Sequence, residues 1–499
     1  MKYLGDFTLP HSDTFVGELS VQGRHTILAV HSEKAIPDLP PECVISGLAY
    51  SGKTLTLIDC ISYRNNRKTI HGSAGDVHRH QLSAYVNHVV IGPRRLDPQA
   101  KIVSRIEFST NDLNAVFFDP TAFGIVPAAG RVIDTVLEER RKHQEVPSGV
   151  DALAAYYSGR SIVIAIRTTI GTISVEHKPS FGGGGAGSGV RIKDHLALCI
   201  EPAAPIRFWD VLEHVHDIAT FLSFAAGRCQ RLRRVRIVTN EVSGPIPDTY
   251  EVRSRYRWKD RGPSSERKPY WKDLPLDPVN RAGEFTAVLA NWLKNRNERR
   301  VARARYIDGL RKENDYGYDR LVAAANMFDL LPKDAVPTET GLDQNLQQAR
   351  KECVLALKKL PDGPDRNSAL SALGRIGKPS LPKKVEHRLA MVIAKVGPHF
   401  PDLGLVAKYA VKCRNAFVHG NTDEFDLATL EKFVPFLTET LEFIFATSDF
   451  IESGWDAAAW ASRPFMAAHS FTRYRWMYRQ LQPLFKAALA KSKSDGTGT

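Results

Sequence analysis

The sequence predicts an α+β chain of more than one domain, with a β-rich, sandwich-like or barrel-like N-terminal region followed by an all-α helix bundle. Three observations carry that reading. At 499 residues the chain is too long for one ordinary hydrophobic core. Short alternating runs, punctuated by Gly, Pro, Asn and Asp, fill about the first 200 residues. From Gly283 onward the apolar residues recur at the helical period instead.

Taken in order, 54–62 (TLTLIDCIS) alternates and is rich in Thr, Ile and Leu, and 84–91, 101–108, 161–167 and 172–176 have the same character. Strands in series with short turns indicate a sandwich or barrel, not a βαβ fold. The period then changes. Within 208–226, Phe208, Val211, Leu212, Val215, Ile218, Leu222 and Phe224 fall at helical spacing, after Pro205 and before Gly227. Residues 239–278, rich in Pro, Arg and aromatics, read as irregular and end at a boundary. One long charged helix is expected over 285–310, then helices over 318–330, 342–360, 385–396, 403–419 and 427–451, a natural set for a bundle. A basic aromatic helix over 471–490 and a frayed tail over 491–499 close the chain. The expected domains are 1–280, a connecting helix over 281–316, the bundle over 317–455 and a basic C-terminal helix and tail over 456–499. No internal repeat is visible.

The net charge of +13 and pI near 9.4 favour polyanionic partners. Six scattered cysteines without a C-x-x-C pair argue against a zinc ribbon and a disulfide framework, and fit a reducing compartment. Asp6 and Pro10 interrupt any signal-peptide core, and no apolar run reaches the ~18 residues of a membrane span. A soluble cytoplasmic protein with no membrane partner is the expectation.

Several motifs have plainer readings. Residues 47–54 (GLAYSGKT) match the Walker A pattern, but a phosphate loop needs a helix after it, and here a strand follows. A turn between strands is expected. Residues 182–189 (GGGGAGSG) lie between strand-like segments and read as a hairpin loop. His78 and His80 with Asp76, and His214 with His216, lack a credible third ligand, and no metal or cofactor is expected. Arg interleaved with aromatics can stack on bases while guanidiniums hold phosphates. That pattern occurs at Arg253, Arg255, Arg257, Trp258, Lys259 and Arg261, and more weakly over 471–486. The bland reading of such clusters is a solvated surface.

The most compact chemistry is at 414–419 (RNAFVH), followed by Gly420. Asn415 and His419 are four apart and share a helix face, with Arg414 one step round. A guanidinium, a carboxamide and an imidazole on one edge suit a phosphate substrate. Arg binds charge, His moves a proton and Asn orients. The looser Arg-to-His spacing also occurs at Arg207 to His214 and Arg463 to His469, but only the third case has Asn after Arg and ends a helix.

An all-α bundle bearing RNAFVHG before its last long helix resembles the HEPN superfamily of ribonucleases. More narrowly, the chain resembles the ApeA group, through 15–23 (FVGELSVQG), 52–60 (GKTLTLIDC), 207–227 and the Trp292 helix as well as the hexad. The resemblance implies a metal-independent endoribonuclease of toxin or antiphage-defence type, generally dimeric, with Arg414, Asn415 and His419 as its catalytic set. It implies an RNA substrate and a β-rich domain that senses a trigger, such as a phage product, or restrains the enzyme. Many relatives carry an acidic residue on the first bundle helix, where this chain offers Asn326, Met327 and Asp329 without selecting one.

Overall fold

The structure, a computed structural model, describes residues 1–495 except 73–74, 147–148, 150, 184–188, 256–267, 338–341 and 421–429. The side chains at 68, 70–72, 75–77, 190, 419 and 492–495 also lie outside the described set. Two compact units divide the chain. The first comprises Met1–Leu222, Gln230–Trp271 and Asp277–Thr286, and the second Ser223–Cys229, Lys272–Leu276 and Ala287–Thr499.

The first unit is built on a barrel. Strands β1 (Lys2–Thr8), β2 (Thr14–Ser20), β3 (Ile27–Ser32), β4 (Cys43–Ala49), β5 (Thr54–Gly72) and β6 (Gly75–Gly92) pair antiparallel in the order β6-β3-β2-β1-β4-β5. β5 pairs back onto β6, so the six strands close. Of the two β architectures expected, closure selects the barrel. Alternate residues point inward, among them Tyr3, Phe7, Leu19, Leu28, Ile45 and Leu57. Phe7 lies opposite Gly47, where a Cβ would sit 2.7 Å from its ring, so the glycine makes room for the phenyl group.

β6 is long enough to serve two sheets. Its residues 80–85 pair with β3, and 88–91 pair with another strand on the same edge. The remaining strands are β7 (Val103–Thr110), β8 (Phe123–Val126), β9 (Ala154–Tyr157), β10 (Ile162–Thr168), β11 (Gly171–His177), β12 (Ser180–Gly183), β13 (Val190–Lys193), β14 (Leu196–Glu201), β15 (Leu232–Val242) and β16 (Pro247–Ser254). The extension runs outward from β6 as β16-β15-β7-β14-β11-β10, while β8–β9 and β12–β13 form separate ribbons. β16 corrects the expectation of irregular chain over 239–278. Asp248, Tyr250 and Val252 alternate inward, but an aspartate at an inward position breaks the apolar pattern. Asp248 is tolerated there because Arg94 Nε donates to it at 2.7 Å and Ser243 N–H at 2.8 Å. Helices α1 (Leu113–Val116) and α2 (Gly130–Arg141) lie between strands, and α3 (Phe208–Ala226) spans the expected residues.

The later helices are α4 (Ala282–Lys294), α5 (Arg296–Arg311), α6 (Tyr318–Asp329), α7 (Gln344–Lys358), α8 (Pro364–Arg375), α9 (Leu381–Val396), α10 (Leu403–His419), α11 (Val434–Glu452), α12 (Ala457–Ala461) and α13 (Ser470–Asp495). The single helix expected over 285–310 is interrupted at Asn295. Asn competes poorly in a helix interior. The break frees the Trp292 carbonyl, which accepts from Arg303 Nη1 at 3.0 Å, and that guanidinium also lies 3.7 Å from the centre of the Trp292 ring. α8 escaped the sequence reading because it is short, lies between Gly363 and Gly377, and carries only a brief, half-buried apolar stripe of Ala369, Leu370 and Leu373. α13 continues past 490 to Asp495, and its Phe471, Tyr474, Tyr478 and Phe485 are core residues, so the aromatics over 471–486 mostly pack inward.

Helices α6, α9, α10 and α11 pack on one another. α11 lies at the centre, buried on every face from Phe436 to Phe450. Its polar residues therefore need internal partners. Asp449, fully buried, accepts from Arg299 Nη1 and Arg303 Nε, each at 3.0 Å. Glu452 accepts from Arg299 at 2.5 Å and Arg388 at 2.6 Å. Glu442 accepts both nitrogens of the Arg320 fork, at 2.8 and 2.9 Å.

His469 is a further buried titratable group of this unit. Phe471 N–H donates to its Nδ1 at 3.1 Å, and its Nε2 faces the Phe224 carbonyl at 3.2 Å, so the ring sits neutral with the proton on Nε2. Burial pushes its pKa down to about 4. Because this lies below the unfolded value near ~6.5, the stabilisation is complete above that pH and drains away as pH falls from ~6.5 towards ~4, to a total of roughly 3 kcal/mol. Urea unfolding across that range is expected to show the loss, and His469→Gln to flatten it.

Candidate functional site

The hexad closes α10. Leu403, Val406, Ala407, Ala410, Val411, Cys413 and Ala416 form the buried stripe that holds the helix in the bundle. Gly420 ends it with φ +69°, a left-handed conformation natural to glycine, and its N–H reaches the Ala416 carbonyl. Arg414 and Asn415 fall beside the buried stripe and are half-buried. Phe417 rests on the Tyr318 ring of α6, centroids 3.9 Å apart, and Val418 is exposed. His419 is the last helical residue, and its side chain lies outside the described residues.

Arg414 is held in a defined place. Its Nη1 donates to Asn415 Oδ1 at 3.0 Å, and its Nη2 donates to Asn326 Oδ1 of α6 at 2.9 Å. Its Nε is buried and has no hydrogen-bond partner among the described residues. Both of these partners are neutral carboxamides, so they orient the guanidinium without cancelling its charge. Each amide turns its oxygen to Arg414 and keeps its NH2 group as a further donor. The arrangement presents positive charge and amide donors together, which suits an anionic oxygen.

The three residues left open on α6 are separated by this geometry. Asn326 touches Arg414, Met327 is buried in the core, and Asp329 accepts from Lys384 Nζ of α9 at 3.0 Å. The residue that meets the arginine is therefore an amide. No spacing rule in the sequence singles out Asn326, since the contact depends on how α6 packs on α10.

The competing motifs settle elsewhere. Residues 47–54 form the end of β4, a tight turn with Gly52 at φ +80° and the start of β5, with Ala49 N–H donating to the Lys53 carbonyl at 2.9 Å. No helix follows this turn, so the backbone amides of a phosphate loop are missing. Arg207 is a bidentate partner of Asp210 at the start of α3, and His469 is the buried structural imidazole described above. The segment over 182–189 joins β12 to β13, with 184–188 outside the described residues. His78 on β6 meets Arg67 and Thr69. Among the described residues no group of three or more His, Cys, Asp or Glu is placed to hold a metal ion. Of the basic aromatic cluster, Arg253 pairs with Glu251 at 2.6 Å and Arg255 lies over the Tyr85 ring, whereas Arg257, Trp258, Lys259 and Arg261 lie outside the described residues. No helix among the described residues is long and apolar enough to cross a membrane.

A barrel-based β unit, and a helical unit whose bundle carries Arg-Asn-x-x-x-His at a helix end, define a HEPN-type protein with an added N-terminal β domain. Family comparison agrees. The model for ApeA N-terminal domain 1 matches residues 2–292, and the Apea-like HEPN model matches residues 322–459. The chain belongs to the ApeA family of HEPN proteins. HEPN domains are generally ribonuclease-like and of defence type. Neither the curated proteins nor the solved structures contain a match to this chain.

Proposed function

We propose that the protein is a metal-independent endoribonuclease of the toxin or antiphage-defence type, with Arg414, Asn415 and His419 as its catalytic residues. The observation that supports this reading best is the Arg414 guanidinium, fixed by two neutral amides at the end of α10. RNA supplies its own nucleophile. A base takes the 2′-hydroxyl proton, the 2′-oxygen bonds to phosphorus, and the bond from phosphorus to the 5′-oxygen breaks as an acid protonates that oxygen. The products are a 2′,3′-cyclic phosphate and a 5′-hydroxyl end. An imidazole titrating near ~6.5 serves as either acid or base at neutral pH. The guanidinium takes the charge that builds on the phosphorane.

One imidazole does not easily make both transfers. An isologous homodimer through the HEPN domain supplies two copies of His419 and Arg414 to one cleft. In this reading the cytoplasmic enzyme is held in check by its N-terminal domain until that domain meets a phage-derived trigger.

The test is incubation of the purified protein with total RNA in EDTA, followed by mapping of the new ends. Cleavage with 5′-hydroxyl ends is expected. RNA that is bound but left intact under these conditions favours instead a binding protein that cuts nothing.

A further inference from the structure

The β5–β6 hairpin of the first unit carries a feature outside the hexad, and it meets the basic cluster read from the sequence only at Arg255. Between Ser62 and Arg64 the register with β6 shifts, and Tyr63 is the extra residue of the bulge. A bulge re-aims its side chain. Here it lays the Tyr63 ring on Tyr85, centroids 4.3 Å apart and planes 25° apart. The Arg255 guanidinium is 4.0 Å from the centre of the same Tyr85 ring. Two groups that close cannot share one face, so Tyr85 is sandwiched between Tyr63 and Arg255.

The sandwich is braced. Arg255 N–H donates to the Asn87 carbonyl at 2.7 Å and its Nε to the Arg24 carbonyl at 2.8 Å. Tyr63 is 47% exposed, so its outer face is the open end of the stack. Ile61 pairs with Tyr85, and Arg64 pairs with Ser83 two residues away, which places both on the same outward face. Both are exposed. Of the hairpin's described cations, Arg64 is the one on this face, since Arg67, opposite His80, falls on the other face and Arg79 pairs with Glu33 at 2.6 Å.

We propose that this outward face is a docking platform for a single strand of nucleic acid, with a base stacking on Tyr63 and a flanking phosphate held by Arg64. The chemistry is the stacking-plus-charge mode that binds single strands without reading their sequence. It deepens the ribonuclease reading by adding a hold on the substrate outside the catalytic domain, yet it is testable without cleavage.

The experiment uses the full-length protein and fluorescently labelled, non-cleavable 2′-O-methyl RNA and DNA oligonucleotides, with a duplex of the same sequence beside them. Tyr63→Ala is expected to weaken single-strand binding about tenfold, Tyr63→Phe to bind as the parent does, and the duplex, whose base faces are hidden, to be unaffected by either. Arg64→Ala is expected to lower the slope of log affinity against log salt by about 0.7 for single strands. RNA and DNA strands should respond alike, because neither contact reads the 2′-oxygen. Parent-like single-strand affinity in Tyr63→Ala, or an equal loss for duplex and single strand, overturns the proposal. So does a Tyr63→Phe loss as large as that of Tyr63→Ala. Since binding is read without turnover, failure here leaves the hexad's role standing, and an inactive hexad leaves this platform standing.

Discussion

Arg414→Ala is expected to lower the rate of RNA cleavage by about 10²–10³-fold while leaving the melting temperature close to that of the parent. The side chain is half-buried, and its two described hydrogen bonds go to neutral amides, so its removal strands no buried carboxylate. What is lost is charge at the point where the phosphorane would form. Single-turnover cleavage of a short RNA, beside a thermal melt, checks both halves of the expectation. Arg414→Lys keeps the charge but not the fork, and should recover only part of the rate. Asn326→Ala removes one of the two clamps and is expected to cost about tenfold, mainly in kcat, because a misplaced group loses orientation more than affinity. Asn326→Asp keeps an accepting oxygen but sets a negative charge against the guanidinium and removes the amide donor, so it should not recover that loss. His419→Ala should abolish cleavage and spare RNA binding. Full activity in Arg414→Ala or in His419→Ala would refute the catalytic assignment.

The second large effect belongs to stability. Asp449→Ala is expected to destabilise the helical unit by about 3–5 kcal/mol, because removing one member of a buried ion cluster leaves the others uncompensated. Asp449 is completely buried and takes hydrogen bonds from Arg299 and Arg303, themselves almost wholly buried. Glu452 ties Arg299 to Arg388 in the same cluster, so the loss of Asp449 disturbs all of it. Burial works to raise the Asp449 pKa, but the adjacent guanidiniums outweigh it and hold the carboxyl below its usual range. A depressed carboxylate pKa gives stability that is present above the unfolded value near ~3.9 and is lost as pH falls through the folded value. Urea denaturation at neutral pH measures the mutational cost. The acid limb of the parent's stability curve should be steeper than that of Asp449→Asn.

The sequence was most legible where one period dominated. α3 begins and ends at the residues its apolar spacing marks, and α10 does too, since Gly420 ends it in a left-handed turn. The barrel could be anticipated as a β architecture but not as a closed one. Closure depends on β5 returning to β6, a pairing between neighbours in sequence whose consequence appears only once β3 has taken the other edge. β16 was hidden by an inward aspartate, and α8 by the shortness of its half-buried apolar stripe. At the candidate site the members within one helix turn, Arg414 and Asn415, could be read from spacing. Asn326 could not, because it is brought in from 88 residues away by helix packing. Tyr63 and Tyr85 went unnoticed for a related reason: a bulge, invisible to a strict alternation rule, makes them neighbours.

The double duty of β6 also sets where this hairpin can change length during evolution. Along 80–91 every residue gained or lost would slide one strand against β5 and against β3 or β16 at once, turning barrel lining outward and unthreading the wider sheet. Beyond the Ser32 to His80 pair, β6 answers only to β5, out to Gly72 and Gly75. Paired insertions and deletions are therefore affordable at that tip alone, and homologous chains should differ there in reach while keeping the same strand count.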